Sequence, residues 1–452
     1  MKLTFLGAAK TVTGSKYLLT EEGVNVLIDC GLFQGLKELR LRNWDKFPIS
    51  PKTINAVILT HAHMDHSGYL PLLVRNGFSG SIYCTPATFD LCKILLPDSA
   101  KLQEEEARYA NKKGYSKHKP ALPLYSSEDV DKALKLFKPI ECGTSFNFEN
   151  KLTAKFIPNG HILGSAFVEI KNEHTSILFS GDLGRTNDFL MQPPAKILTA
   201  DYLILESTYG DRNHDQTDPL IQLEGIINKT TNRKGVIIIP AFSVGRTQSI
   251  LYSIYLLKKS NRIKDIPVFL NSPMSINAMH VYCNHKKDHK LSPDECRNMC
   301  EVATYVNSME DSIALNLKDG PMIIVSASGM ATGGRVLHHI KKFGPDSKNT
   351  ILFVGFQAPG TRGDALVHGA KSIKMYGEYV QINAEVICLD NYSSHADQSE
   401  ILAWLKNFKK PPKLTFITHG ELHSATALQK EIKKQFNWNS HIPHYLEAKE
   451  LL

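Results

Sequence analysis

Residues 56 to 71, AVILTHAHMDHSGYLP, constrain this chain more than any other stretch. The four apolar residues at its start predict a buried strand. The strand leads into a cluster formed by His61, His63, Asp65 and His66. Three imidazoles and a carboxylate this close together would lose hydration and repel one another unless something bound them. The pattern therefore favours a metal site over a solvated polar loop.

Alternation along the chain sorts this cluster into two sets of ligands. Residues i and i+2 of an extended segment project to the same side, so His61 and His63 belong together. Asp65 and His66 then turn toward a neighbouring point, and two adjacent sets suggest two metal ions. Nitrogen and carboxylate ligands without cysteine favour zinc, with manganese or iron as alternatives.

Four further candidates each come just after a predicted strand: Asp29, His161, Asp182 and His419. A single histidine or aspartate after a strand is weak evidence for a metal site. Four in series beside the cluster are much stronger evidence, because the edge of a sheet presents such side chains to a shared cleft.

The rhythm of predicted elements divides the chain. Residues 1–207 predict short strands with interspersed helices, including a charged surface helix and loop at 97–120 and a helix at 127–138 started by a capping box. Residues 208–393 alternate strand and helix, which predicts a parallel, helix-covered sheet. Residues 394–452 return to the first pattern and contain His419. Because His419 must rejoin the metal cluster, we expect 208–393 to be inserted within the first domain.

Composition excludes some classes of protein. The chain of 452 residues is 42% hydrophobic and has no apolar run of membrane-spanning length, so we expect a globular protein without a transmembrane helix. Its eight cysteines have no framework spacing, which fits a reducing, cytoplasmic location. The net charge of +8 fits an anionic substrate such as nucleic acid but does not decide the function.

A second metal site is the weaker interpretation of another group, formed by Cys283, His285, His289, Cys296 and Cys300. Their spacings match no zinc-finger pattern well. The favoured interpretation is a helix with incidental histidines and buried cysteines.

The H-x-H-x-D-H string and the residues that follow it resemble the signature of the metallo-β-lactamase fold. Three further strings resemble motifs A, B and C of its β-CASP branch: Glu206 in LILESTYGDR, His395 in YSSHADQSE and His419 in ITHGE. PAFSVGRTQ, SGMATGGR and GFQAPGTRG resemble the inserted domain of that branch, so the resemblance covers nearly the whole chain. It implies an α/β protein, an αββα sandwich with an inserted β-CASP α/β domain.

The resemblance also implies roles for the candidate ligands. One zinc would be held by His61, His63 and His161, a second by Asp65, His66 and His419, and Asp182 would bridge them. A hydroxide between metals roughly 3.5–4 Å apart would attack phosphorus. Asp65 is also counted as catalytic, and Asp29 is expected to accept a hydrogen bond that orients a ligand histidine.

His395 is the candidate general acid, because the predicted ligands are all occupied by metal. The departing ribose oxygen needs a proton, and a histidine supplies one at neutral pH. Glu206 resembles the acid that orients this histidine. The alternative is that His395 only binds phosphate.

Phosphate-binding candidates lie mostly in the inserted segment. Gly333 and Gly334 precede a predicted helix and expose backbone N–H groups to an anion, and Arg335 adds a fork of donors. The weaker candidates in similar strings are Ser243, Arg246, Ser328 and Ser394. No KH-like module is expected before Met1, and no ribonuclease-J-like domain at the other end.

The leading prediction is a zinc-dependent ribonuclease that hydrolyses phosphodiester bonds of single-stranded RNA between two lobes, in RNA processing or decay. The resemblance extends to bacterial relatives of the endonuclease subunit of the pre-mRNA 3′-end cleavage machinery. In that family a histidine at motif C accompanies RNA substrates. Endonuclease and 5′-exonuclease activity both remain open, as do RNA-processing protein partners. The alternatives are a DNA nuclease, a hydrolase of a small ester or thioester, and a non-catalytic RNA-binding scaffold.

Overall fold

The computed structural model describes residues 1–114, 116–148 and 151–452. The strands are β1 (Lys2–Phe5), β2 (Tyr17–Glu21), β3 (Val24–Ile28), β4 (Ala56–Ile58), β5 (Ser81–Cys84), β6 (Phe137–Pro139), β7 (Ser145–Phe148), β8 (Leu152–Pro158), β9 (Ala166–Lys171), β10 (Ser176–Phe179), β11 (Tyr202–Glu206), β12 (Val236–Pro240), β13 (Val268–Leu270), β14 (Thr304–Tyr305), β15 (Met322–Ser326), β16 (Thr350–Val354), β17 (Ser372–Met375), β18 (Glu378–Gln381), β19 (Glu385–Leu389), β20 (Leu414–Thr418), β21 (Ser440–His441) and β22 (Ala448–Glu450).

The helices follow the same chain-order numbering. They are α1 (Lys37–Leu41), α2 (Met64–Ser67), α3 (Leu70–Arg75), α4 (Pro86–Lys113), α5 (Ser127–Leu134), α6 (Pro219–Asn232), α7 (Arg246–Lys259), α8 (Pro273–Asn284), α9 (Pro293–Glu301), α10 (Met309–Leu315), α11 (Val336–Phe343), α12 (Arg362–Val367), α13 (Gln398–Leu405) and α14 (Leu422–Phe436).

The chain forms two compact units. The first contains residues 1–187, 192–213 and 395–452, and the second contains residues 188–191 and 214–394. The bounds expected from the sequence, 1–207, 208–393 and 394–452, stay a prediction for the functional domains.

The first unit is built on two sheets of mixed direction. Their strand orders are β22-β1-β2-β3-β4-β5-β6 and β21-β20-β11-β10-β9-β8-β7. Apolar side chains of both sheets form one core, in which Phe5 of the first sheet lies 5.0 Å from Phe416 of the second, between ring centroids. The alternation of buried and exposed residues along β8 follows from this packing, because only one face of that strand meets the core.

Helices cover the outer faces of this pair of sheets. Leu405 of α13 and Leu428 of α14 join Phe167 and Leu203 of the second sheet in another buried cluster. On the other side, α4 packs against β6 and against α5. The layers are therefore α, β, β and α, and the predicted fold class is confirmed.

The second unit contains a six-stranded sheet in the order β14-β13-β15-β12-β16-β19, with every neighbouring pair parallel. Strands β12 and β15 are buried along their whole length, as expected for a parallel sheet that helices cover on both faces. The predicted alternation of strand and helix is confirmed here. A separate antiparallel pair, β17 and β18, completes the unit.

Capping residues explain where helices α5 and α4 begin, one as the sequence predicted and one earlier than predicted. The capping box predicted for α5 is present, with Ser126 and Asp129 satisfying each other's backbone N–H groups. The charged helix predicted from residue 97 in fact begins at Pro86, after an N-cap at Thr85, and ends before Gly114. The helix can start earlier because proline is favoured at the first helical position, where its missing N–H group is not needed. No described helix has the length and apolar character needed to span a membrane.

Candidate metal centre

The histidine cluster lies at the end of β4. The backbone stays extended through His63, and α2 then begins at Met64. Asp65 and His66 therefore lie on a helical turn, whereas His61 and His63 lie on the extended segment before it. This change of backbone separates the four side chains into the two predicted sets.

A close backbone approach fixes that turn in place. The N–H of Cys30 donates to the carbonyl of His66 at 2.7 Å, and the N–H of Ser15 donates to that of Asp65 at 2.8 Å. A Cβ at Gly31 would lie 1.6 Å from the carbonyl oxygen of Asp65. Only glycine fits at this position, which ties the end of β3 to the cluster.

Three histidines face one another beside Asp182, and we call them the trihistidine set: His61, His63 and His161. The Nδ1 atom of His63 lies 3.1 Å from Nε2 of His61 and 3.3 Å from Nε2 of His161. The Asp182 Oδ2 atom lies 3.4 Å from the first of those Nε2 atoms and 3.5 Å from the second. A tetrahedral zinc about 2.0–2.1 Å from each ligand would set neighbouring ligand atoms about 3.3–3.4 Å apart. The set fits that geometry.

Burial keeps these three rings neutral. Loss of solvent, followed by the nearby His61 ring, lowers the pKa of His63 to about 3. Burial also lowers the pKa of His61 and holds that of His161 well below its ordinary value. A neutral imidazole presents the lone pair that a metal ion requires.

Asp65, His66 and His419 form a second group, which we call the mixed set. The Nε2 atoms of the two histidines are 3.0 Å apart, and Asp65 Oδ2 lies 3.5 Å from that of His419. The Asp182 Oδ1 atom lies 3.2 Å from Nε2 of His66. Among the residues that the structure describes, none donates a hydrogen bond to this buried oxygen. An orphaned carboxylate oxygen between two imidazoles fits a cation at this point.

The charges of the mixed set differ from those of the trihistidine set. Burial alone would lower the pKa of His66, but Asp182 and Asp29 raise it well above its ordinary value. The pKa of His419 is also raised, since Asp182 and Asp65 outweigh its burial. The pKa of Asp182 is held well below its ordinary value despite burial, chiefly by these two rings. The carboxylates thus create a strong local demand for positive charge.

Asp29 lies behind His66, where the sequence led us to expect an orienting acceptor. Its Oδ2 atom is 2.7 Å from Nδ1 of His66, and its Oδ1 atom accepts the Thr60 N–H at 2.8 Å. The backbone of Asp29 has a φ of +58°, a costly conformation for a residue other than glycine. His419 has a φ of +47°, so two strained residues border the same set.

His395 and Glu206 form a pair beside the trihistidine set. The Nδ1 atom of His395 lies 3.2 Å from each Glu206 oxygen, and the carboxylate also accepts the N–H groups of Leu183 and Thr208. The His395 Nε2 atom lies 3.9 Å from Asp182 Oδ2. The hydrogen bonds to Glu206 therefore aim the other nitrogen toward the ligands.

Sequence reasoning missed several residues that hold the ligands in place. The Asn159 amide donates to the carbonyls of Ser180 and Asp182 at 2.9 and 2.8 Å, while its oxygen accepts the His161 N–H. The Thr60 hydroxyl lies 3.0 Å from Nδ1 of His61. The string FIPNGH contains an asparagine next to the turn, but nothing local shows that its amide reaches a different strand.

The phosphate-binding candidates belong to the second unit and make structural hydrogen bonds. The guanidinium of Arg335 donates to the Asn271 side chain and to the carbonyls of Val306 and Asn307. Arg246 is buried and donates to the Tyr392 carbonyl at 2.6 Å. These contacts occupy donors that the sequence led us to reserve for an anion.

The remaining candidates differ in exposure. Ser243 and Ser394 are buried, whereas Ser328 is partly exposed and its hydroxyl lies 2.9 Å from that of Thr332. Gly334 has a φ of +76°, which favours glycine, and a Cβ at Gly333 would meet no atom within 4 Å. The RNA-binding role of all these residues stays a prediction.

The αββα fold and the two ligand sets that share Asp182 define a metal-dependent hydrolase. Family models match three parts of the chain: the metallo-beta-lactamase superfamily at residues 11–142, the Beta-Casp domain at 247–366, and the Zn-dependent metallo-hydrolase RNA specificity domain at 379–443.

Relatives match over almost the whole length. The chain is 36% identical to ribonuclease TTHA0252 of Thermus thermophilus over 95% of each protein. It is 31% identical to transcription termination factor FttA of Methanosarcina mazei, covering 100% of this chain and 72% of the relative. The chain belongs to the β-CASP branch of the metallo-β-lactamase superfamily, and the resemblance noted in the sequence is confirmed.

A solved structure supports the fold alone. The crystal structure of a protein of unknown function from Enterococcus faecalis V583 superimposes with a TM-score of 0.55 at 12% identity, covering 100% of this chain and 99% of the other. The same arrangement of layers thus exists in a chain of very different sequence.

Proposed function

We propose that this protein is a ribonuclease that uses two zinc ions to hydrolyse phosphodiester bonds of single-stranded RNA during RNA processing or decay. The observation that carries the proposal is the Asp182 carboxylate, which presents one oxygen to each ligand set. The match to an RNA specificity domain over residues 379–443, which contain both His395 and His419, supports RNA as the substrate. The name of the Thermus relative, a ribonuclease, supports the same substrate.

The trihistidine set would hold one zinc ion and the mixed set the other, with Asp182 between them. When bound, two such ions lower the pKa of water and offset negative charge on a phosphate. Asp29 would keep the His66 ring oriented, since a carboxylate on the outer nitrogen fixes the tautomer that binds metal.

The His395–Glu206 pair would supply the proton. Glu206 accepts the Nδ1–H of His395 at 3.2 Å and is itself fixed by two backbone N–H groups. This arrangement leaves Nε2 as the nitrogen that would protonate the departing ribose oxygen. Because the pair stands 3.9 Å from Asp182 Oδ2, it is close to the ligands and separate from both sets.

The test is digestion of matched single-stranded RNA and DNA, together with a generic ester, by purified zinc-loaded protein. RNA labelled at the 5′ end and internally would show by product length whether cleavage is internal or begins at the end. Asp65→Ala is the matched control, because it removes a proposed ligand whose side chain is partly exposed and should leave the fold intact. Equal rates on RNA and DNA would reject the RNA preference, and cleavage of the ester alone would reject the nuclease.

Salt supplies an independent check on binding. Contacts to phosphates release counterions from the nucleic acid, so RNA affinity should fall as salt rises. An affinity that does not change with salt would show that the protein recognises its substrate by other means.

A further inference from the structure

Three cysteine thiols converge in the second unit, and none of them is among the residues assigned above to metal, proton transfer or RNA. Cys283 lies near the end of α8, and Cys296 and Cys300 lie one helical turn apart on α9. The Sγ atom of Cys283 is 2.7 Å from that of Cys296 and 3.4 Å from that of Cys300. The first distance is shorter than ordinary contact between sulfur atoms but longer than a disulfide bond, about 2.05 Å.

The histidines that the sequence grouped with these cysteines have contacts with other groups. His289 lies 3.0 Å from the Tyr282 carbonyl through Nε2, and its Nδ1 accepts the Leu291 N–H. His285 faces Asp288 at 3.6 Å. Within the described residues, the groups of ligand atoms spaced for a metal ion contain histidines and carboxylates, and the three thiols are not among them. The geometry therefore favours bonding between sulfurs over zinc, whose thiolate ligands lie about 2.3 Å from the metal.

The surroundings of Cys283 favour the reactive thiolate. Hydrogen bonds from the Cys296 and Cys300 thiols, helped by the charge of Lys286, lower its pKa in spite of burial. The pKa of Cys296 and that of Cys300 are raised, so these two remain thiols. Cys283 and Cys300 are partly exposed, which leaves access for a small oxidant, whereas Cys296 is buried.

We propose that Cys283 and Cys296 are a peroxide-sensitive pair that closes reversibly to a disulfide between α8 and α9. The Cys283 thiolate attacks hydrogen peroxide: an S–O bond forms, the O–O bond breaks, and the departing hydroxide takes a proton to become water. The Cys296 sulfur then attacks the sulfenic acid, forming the S–S bond, breaking the S–O bond and releasing a second water that carries the Cys296 proton. The two sulfurs lose two electrons in total, which peroxide accepts, and a dithiol reductant reverses the change.

The experiment uses the zinc-loaded full chain, reduced and then exposed to equimolar hydrogen peroxide at pH 7. Alkylation and peptide mass spectrometry should find Cys283 linked to Cys296, and dithiothreitol should remove the link. An ordinary thiol is only a few per cent thiolate at this pH, so Cys283 should oxidise roughly tenfold faster than the exposed Cys142. Oxidation of Cys142 first, or no linked peptide at all, would overturn the proposal.

Cysteine variants identify which two residues form the disulfide, and no conclusion depends on one variant alone. Cys296→Ser should abolish the 283–296 link and leave a sulfenic acid at Cys283 that dimedone traps, whereas Cys142→Ser should change nothing. Circular dichroism of each variant checks the fold, and the wild-type result stands even if a variant unfolds. Metal in excess of the two expected zinc ions that disappears in Cys283→Ser would show a thiolate metal site and overturn the disulfide.

Discussion

The trihistidine set and the mixed set share one carboxylate but are supported by opposite means. His61 has the neutral hydroxyl of Thr60 behind it, whereas His66 has the carboxylate of Asp29 behind it. Burial lowers the pKa values of the first set, and carboxylates raise those of the histidines in the second. If both sets bind zinc as proposed, the difference means that neutral ring geometry favours the ion in one set and accumulated negative charge favours it in the other.

The largest effect should come from the residue common to both halves. Asp182→Ala removes one oxygen from each set, so metal content should fall below two ions per chain and RNA cleavage should fall by roughly 10³-fold or more. Elemental analysis and single-turnover cleavage measure the two effects. Asp188→Ala, six residues further along the chain and outside both sets, is the control. Retention of both ions in Asp182→Ala would show that the two halves are independent.

The next largest effect should be a loss of turnover without loss of metal from either set. His395→Ala is expected to lower turnover by about 10²–10⁴-fold, the usual range for a general acid, with both zinc ions retained. An RNA with a good leaving group at the cleaved bond needs no proton and should recover part of the rate. Loss of zinc from this variant would make His395 a ligand. Weaker RNA binding with unchanged turnover at saturation would make it a phosphate clamp.

The two sets should release zinc at different pH values. Protons compete with metal for imidazole, and they compete best where the pKa is raised. As pH falls, the mixed set should therefore release zinc first, because the pKa of His66 is well above its ordinary value. The trihistidine set should retain zinc to lower pH, since the pKa of His63 is about 3.

Zinc content after dialysis at a series of pH values measures this order. His63→Ala isolates the mixed set, and Asp65→Ala isolates the trihistidine set. Release in the reverse order would show that the carboxylates stabilise bound metal more than the raised pKa favours the proton.

The smallest effects should come from the groups behind the ligands. Asp29→Asn should weaken metal affinity at the mixed set about 10–100-fold, as is usual when such a carboxylate is lost. Thr60→Val should weaken the trihistidine set by less than about tenfold, because its hydrogen bond to His61 is neutral; its hydroxyl also donates to Asp29 Oδ2 at 3.0 Å, so a smaller loss is expected at the mixed set too. Competition with a chelator measures both affinities. Equal losses would contradict the contrast between charged and neutral support.

The sequence predicted which candidate ligands come together, because their positions follow from local rules. Residues 61 to 66 show the change from extended chain to helical turn, and the other candidates follow apolar runs that form strands. His419 is 353 residues from His66 along the chain and follows β20 of the other sheet, yet the pattern of strand ends was enough to group it with His66.

Long-range hydrogen bonds could not be predicted in this way. Asn159 holds the Asp182 loop through a carbonyl, and the sequence around it gives no sign of that partner. The fork of Arg335 suggested an anion site, but its partners are carbonyls brought close only by folding. The convergence of the three thiols likewise depends on how α8 packs against α9.

The chain leaves and re-enters the first unit at neighbouring points. Residue 213 is the last before the large excursion and His395 is the first after it. On either side of the gap, Tyr209 bridges Asp397, and the Gln398 N–H donates to the Arg212 carbonyl at 3.1 Å. Such adjacent ends allow a whole folding module to be spliced into a loop without disturbing its host. A short linker joining residues 213 and 395 should thus yield a protein that folds and keeps the Glu206–His395 pair, which circular dichroism of the shortened chain would check.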